Sequence, residues 1–184
     1  MFRLFVAVDL PEEVKKEVKD ICRDLPGAHW VPQDQLHLTL RFIGDADDAL
    51  FLAIKAALAR VSGAPFRFAL KGIGHFPPGK RARVLWVGME KREPLLELQQ
   101  AVERALTEAG VPPDERPFSP HITLARFRDP FPGATASFEE RHSGFASAPF
   151  EVDAFYLYSS VLTREGATHR REATYSLAGD RIGT

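Results

Sequence analysis

Two short stretches, His37-Leu38-Thr39-Leu40 and His121-Ile122-Thr123-Leu124, carry the same order of side chains. In each, apolar residues alternate with His and Thr, the period-two pattern of a half-buried strand. Leu38, Leu40, Ile122 and Leu124 are then expected to face a core, with imidazole and hydroxyl side by side on the opposite face. Two such strands facing one cleft would supply two imidazoles that titrate near neutral pH. One can take a proton from an attacking group while the other gives one to a leaving oxygen, each role typically worth about 10²–10⁴ in rate. The hydroxyls two residues further on suit hydrogen bonds to phosphoryl oxygens. Chance supplies a His-x-Thr triplet about 0.2 times in a chain of this length, so two copies with matching apolar flanks point to a shared role.

Arg126 follows His121 by five residues and so has the wrong parity in an ideal strand. It reaches the same site only through its length, a strand end or a β-bulge. If it does, its planar fork suits an oxyanionic phosphate; if not, it is a surface charge. Competing chemistries fit less well. A zinc site wants three or four clustered His, Cys or carboxylate ligands, and threonine is a poor zinc ligand. Ser119 and His121 are not arranged as a nucleophile elbow, and neither a Walker loop nor a dinucleotide fingerprint appears. No metal and no cofactor is therefore expected. His29, His75, His142 and His169 fall in loop-like or hairpin settings and read as surface residues. The loop from Gly72 to Arg83 carries Lys80, Arg81 and Arg83, which either hold RNA backbone or are simply solvated. Phe42, Trp30 and Phe118 flank the motifs, either as a base-stacking surface or as core.

The elements that must position these groups recur in order. Phe2 to Leu10 reads as a strand, and Pro11, Glu12 and Glu13 open a helix that runs to about Asp24. The first motif strand spans about Leu36 to Ile43, and a helix from Ala49 to Val61 is capped by Asp47 or Asp48. A strand from Phe66 to Leu70 closes the first set. The second set begins with a strand at Val84 to Met89 and a helix from Pro94 to Ala109. The strand around Phe118 to Arg126 and a short irregular helix at Ser137 to Ser143 follow. Strands at Phe150 to Leu162 and Thr168 to Leu177 end it, joined by a turn at Arg164-Glu165-Gly166. The expectation is one domain over residues 1–184, made of two pseudo-symmetric lobes.

With 184 residues, 45% hydrophobic and 27% charged, the chain has the make-up of a soluble globular domain. A net charge of −1 gives no global basic field, so any RNA must be gripped locally. The one cysteine, Cys22, excludes an internal disulfide and reads as core. Neither a signal peptide nor a stretch long enough for a membrane span is apparent, so a cytoplasmic monomer is expected.

The paired motifs resemble those of the two-histidine (2H) phosphoesterase superfamily. The wider context is similar to its LigT-like branch, the RNA 2′,3′-cyclic phosphodiesterases once named 2′-5′ RNA ligases. That context comprises Arg3 to Val8, Leu36 to Gly44, Arg83 to Gly88, Phe118 to Arg126 and Ser159 to Leu162. The resemblance implies an α+β fold, a bilobal duplicated unit with two antiparallel sheets lining a central cleft and helices on the outer faces. It implies His37 as proton donor to the departing ribose oxygen and His121 as acceptor from water, with Thr39, Thr123 and Arg126 holding the phosphate. Its reaction opens a terminal 2′,3′-cyclic phosphate of RNA, tRNA fragments included, to a 2′-phosphomonoester without metal, and in reverse forms a 2′-5′ link. His169 departs from the pattern, which leads one to expect Tyr or another larger residue near the last hairpin. The motifs alone leave open a phosphodiesterase for small cyclic nucleotides or 2′-5′ oligoadenylates, and a non-catalytic RNA-end-binding module.

Overall fold

The computed structural model describes residues 1–90 and 93–177. Strand β1 (Phe2–Asp9) leads into helix α1 (Glu12–Ile21), whose Glu12 and Glu13 sit in the first turn, where the helix dipole favours negative charge. Val14 and Val18, one turn apart, fix that helix to the core. A two-residue strand β2 (His29–Trp30) and a 3₁₀ turn (Gln33–Gln35) deliver the chain to β3 (His37–Ala46). Helix α2 (Asp48–Leu58) starts where the Asp47 carboxylate accepts from the Leu50 amide at 2.8 Å, a cap worth about 1 kcal/mol.

From there the segmentation is finer than expected. The stretch read as one strand from Phe66 to Leu70 is two, β4 (Phe66–Phe68) and β5 (Leu70–Phe76). β5 takes up the start of the stretch read as a loop from Gly72. Ala69 is the break, and from there the chain changes sheets. Strand β6 (Val84–Met89) and helix α3 (Glu93–Glu108) fall where expected. Strand β7 (Ile122–Arg126) is shorter than the expected Phe118 to Arg126, and His121 stands just ahead of it. Helix α4 (Ala136–Arg141) is followed by β8 (Phe150–Val152) and β9 (Ala154–Thr163), again two strands where one was read. β10 (Gly166–Ser176) returns along β9 through a tight turn.

The sheets are antiparallel and draw on distant parts of the chain. One four-stranded sheet has the order β10-β9-β1-β3, the other β2-β7-β6-β5, and β4 pairs with β8 in a two-stranded piece. The strand that closes each run of elements thus leaves for the opposite sheet: β5 lies beside β6, and β9 lies beside β1. One hydrophobic cluster serves both sheets, joining Leu4, Val6, Leu38 and Leu40 with Leu85, Ile122 and Leu124. Each such buried side chain contributes about 1.5–3 kcal/mol. Among the described residues no helix is long and apolar enough to cross a membrane.

One buried cation ties the two sides together. Arg41, 6% exposed, donates to the Glu103 carboxylate of α3 at 2.8 Å and to the carbonyls of Phe42 and Pro112. It therefore links β3 to α3 and to the segment that leads into β7. Arg41→Ala leaves Glu103 and two carbonyls without their donor and is expected to lower the unfolding free energy by about 3 kcal/mol. Arg41→Met, which fills the same volume, should cost less. Urea unfolding of the two variants measures the difference, and an unchanged midpoint for the Ala variant would show that the clamp contributes nothing.

Candidate active site

The site begins with an irregularity in each motif strand. Along β3, Thr39 pairs with Ala7 but Arg41 pairs with the next residue, Val6, so Leu40 is an extra residue. Along β7, Thr123 pairs with Trp86 and Ala125 with Leu85, so Leu124 is extra in the same way. Each is a β-bulge, and each turns two consecutive side chains inward: Leu40 with Arg41, and Leu124 with Ala125. The parity after the bulge is inverted. Phe42 and Arg126, each five residues beyond its histidine, therefore return to the side of the imidazole and hydroxyl. Arg126 reaches the site by a bulge, one of the three routes open to it.

The two sheets enclose a cleft of about 1000 Å³. His37, Thr39 and Phe42 line it from one side, and His121, Thr123 and Arg126 from the other. Lys80 and Arg81 do not line it; both are exposed on the loop between β5 and β6, where the Lys80 carbonyl accepts from the Gly133 amide. Phe42 is 58% exposed where it lines the cleft. Phe118 also lines the cleft, whereas Trp30 packs against Phe138 and the core.

The two imidazoles are held differently. His121 Nδ1 lies 2.7 Å from the Ser119 carbonyl. A carbonyl can only accept, so Nδ1 carries the proton, and in the neutral ring Nε2 keeps the lone pair a base requires. Burial lowers its pKa below the usual 6.5, opposed by that hydrogen bond and reinforced by the positive charge of Arg126. Phe76 closes the ring from the side, edge-on at 5.0 Å. Phe76 rests in turn on Trp86, whose indole passes so close to Gly74 that a Cβ there would collide with it.

His37 sits deeper. Its ring stacks on Phe5 at 5.0 Å and on Tyr158 at 5.7 Å. Burial, and then the neighbouring His169, push its pKa down to about 4, with Asp9 and the Gln35 backbone pulling the other way. Asp9 is itself held by Lys15 at 3.0 Å and Arg171 at 2.9 Å, and Arg171 also donates to the Tyr158 hydroxyl. These partners offset most of the negative charge that would otherwise favour a protonated His37.

Not every residue falls where sequence reasoning placed it. His169, read as a surface residue, lines the cleft from β10, edge-on to Phe5 at 4.9 Å and to His37 at 5.2 Å. The hairpin that carries it curls over the first motif and is pinned there by the Gln35 side chain, which donates to the Ala167 carbonyl at 2.6 Å. His75 is half-buried: Nδ1 meets the Glu139 carboxylate at 2.9 Å and Nε2 meets the Gly79 carbonyl at 2.7 Å, so its pKa rises. His142 is half-buried against Phe138, while His29 is exposed, though on β2 rather than in a loop. Phe5 and Phe76, which frame the imidazoles, were not singled out; a strand pattern shows which way a side chain points but not which ring it meets. The Cys22 thiol, pushed up to about 11 by burial, is no nucleophile. Among the described residues no three His, Cys, Asp or Glu side chains gather where they would hold a metal ion.

Known proteins share this arrangement of elements and sequence. The chain is 36% identical to the RNA 2′,3′-cyclic phosphodiesterase of Thermotoga maritima over 91% of each chain. It is also 36% identical to the protein of the same name from Thermus thermophilus, over 97% of this chain and 91% of that one. The crystal structure of E. coli LigT complexed with 3′-AMP matches with a TM-score of 0.77 and 25% identity, over 97% of this chain and 99% of that one. A solved structure from Thermus thermophilus matches with a TM-score of 0.78 and 33% identity, over 97% of this chain and all of its own. The family model of the 2′-5′ RNA ligase superfamily matches residues 10–164. With paired motif strands, antiparallel sheets around one cleft and sequence identity along nearly its whole length, the chain belongs to the 2′-5′ RNA ligase superfamily.

Proposed function

We propose that this protein hydrolyses the terminal 2′,3′-cyclic phosphate of RNA, tRNA fragments among its substrates, to a 2′-phosphomonoester. The observation that carries this reading is the meeting of both imidazoles, both motif hydroxyls and Arg126 in one cleft. His121, with Nε2 free to accept, takes a proton from water as its oxygen attacks phosphorus. The bond from phosphorus to the 3′ oxygen breaks, and His37 gives that oxygen a proton. Thr39 and Thr123 hold the non-bridging oxygens by hydrogen bonds. Arg126 supplies the positive charge where negative charge accumulates, the kind of electrostatic contribution that outweighs a single neutral hydrogen bond. Phe42, at the position in its strand that Arg126 occupies in the other, offers a stacking face for the terminal base, and Lys80 and Arg81 meet RNA backbone beyond the cleft. The two halves act as pseudo-symmetric lobes of one domain. Because both motifs come from one chain, a monomer suffices, and the single cysteine fits a reducing, cytoplasmic setting. Run in reverse, the same groups join ends through a 2′-5′ link.

Each imidazole makes a separate proton transfer, so His37→Ala and His121→Ala should each lower the single-turnover rate on a cyclic-phosphate-ended RNA by at least about 10². The double variant should lose little more, since groups that act as a unit are not additive. Arg126→Ala should cost more than either Thr→Ala change. Near-native turnover by either His variant would end the two-histidine reading, and a 3′-phosphate product would reverse the assignment of the leaving oxygen.

The reaction needs His37 protonated and His121 neutral. Burial lowers both values in the substrate-free protein, to about 4 for His37. His37 loses its proton as pH rises through about 4, but over the same range His121 gains the neutral form it needs and has it in full by roughly 6.5, so kcat/KM should fall about tenfold per pH unit above roughly 6.5. Bound phosphate brings a negative charge that favours both imidazolium forms. The kcat optimum should therefore lie at higher pH than that of kcat/KM; coincident profiles would contradict the assignment.

The proton transfers use protein groups alone, so turnover should be unchanged after exhaustive chelation with EDTA. Loss on chelation and recovery with a divalent ion would replace this mechanism with a metal-assisted one.

A further inference from the structure

We propose that His169 is a third imidazole of the active site, a positioning residue that sets the ring orientation and proton occupancy of His37. This rests on the reading of His37 as the proton donor. Three observations support it. His169 approaches the His37 ring edge-on, with centroids 5.2 Å apart, while both rings lie against Phe5. The three rings form a triangle with centroids 4.9–5.2 Å apart, so the His37 ring is bordered on two sides, by a stacked phenyl and by a second imidazole set at a steep angle to it. The Nδ1 of His169 is also buried, with no hydrogen-bond partner among the described residues. Buried polar atoms are nearly always paired, so one left unpaired beside the proposed proton donor calls for an explanation, and a role in the site supplies one. Finally, the Gln35–Ala167 hydrogen bond pins the start of β10 over the first motif, holding His169 in place against His37 rather than on a free hairpin.

Two imidazolium charges at this separation repel, and burial weakens the screening between them. A proton on His169 therefore disfavours one on His37, and the pair takes up charge one step at a time. The other charged and titratable groups around His37 are Asp9 on β1, Lys15 on α1 and Tyr158 on β9; Asp34 of the 3₁₀ turn acts on His169. Asp9 is paired with Lys15 and Arg171, so it does not replace His169 as the group that sets the balance. Substrate phosphate shifts that balance toward His37, where the proton is used. His169 thus restrains a proton donor that would otherwise charge more readily before substrate arrives.

His169→Phe keeps a ring against His37 and removes its charge; His169→Ala removes both. In substrate-free protein, the ¹H–¹³C signals of the His37 ring should titrate at higher pH in both variants, by up to roughly one unit. The high-pH limb of kcat/KM on a cyclic-phosphate-ended RNA should move the same way. The Phe variant should keep kcat within a few-fold of wild type, whereas the Ala variant should lose about tenfold in kcat with KM little changed. Backbone amide spectra check that both variants are folded, and the Phe variant decides the matter if the Ala variant is not. An unmoved His37 titration in His169→Phe overturns the role given to His169 and leaves the proposed reaction intact. A wild-type protein without turnover overturns the reaction, while the titration still reads the coupling between the two rings.

Discussion

One extra residue at the end of each four-residue motif governs the site. A strand alternates strictly, so a His at one position and a useful side chain five residues later must lie on opposite faces unless the count is changed. Leu40 and Leu124 change it. Without them Phe42 and Arg126 would be driven into the core, and an unpaired guanidinium there would cost several kcal/mol, on the order expected for any uncompensated buried charge. The same bulge in β3 points Arg41 inward, and that cation is not left alone. Glu103 and two carbonyls receive it and tie the motif strand to α3. A local irregularity thus both exposes one side chain to the cleft and creates the buried contact that braces the cleft from behind.

The two motifs look alike in sequence yet sit in unlike surroundings. His121 has a carbonyl on Nδ1 and a guanidinium nearby; His37 has aromatic faces, a second imidazole and a carboxylate already paired with two cations. Desolvation is the largest influence on both. An apolar setting with few compensating charges favours the neutral form of each ring, and a bound anion would push both toward the charged form. The difference five residues beyond each histidine, a phenyl on one side and a guanidinium on the other, makes the cleft directional despite the repeated elements.

Much of this was legible in the chain. The alternation within Leu36 to Ile43 marked the side of β3 that faces the cleft, and the four apolar motif residues are buried as their period requires. The Glu12–Glu13 and Asp47 signals marked the starts of α1 and α2. What escaped was non-local. The passage of the chain from one sheet to another at Ala69 and Asp153 leaves no proline or turn cluster to announce it, so β4 and β5, and β8 and β9, each read as one strand. His169 was misplaced because a hairpin suggests solvent, and only the curl of that hairpin over the 3₁₀ turn makes it part of the cleft. The bulges could be named as a condition but not located, since they depend on the register of a partner strand.

The strand exchange bears on how the molecule assembles. β1 forms early in the chain and has β3 as a near neighbour in sequence, but its other edge is covered only by β9, with Leu4 opposite Ser159. Until that late segment arrives, a buried, apolar strand presents a row of unpaired amides and carbonyls, the template on which unwanted strands add. Closing it requires a loop of most of the chain's length, an entropic barrier that slows folding in proteins rich in distant pairings. β5, meanwhile, precedes in the chain both strands, β6 and β7, of the sheet that receives it. Neither sheet is complete without a strand from the other half, so the cleft between them needs both halves in place, and an interrupted chain would hold neither of its walls in shape.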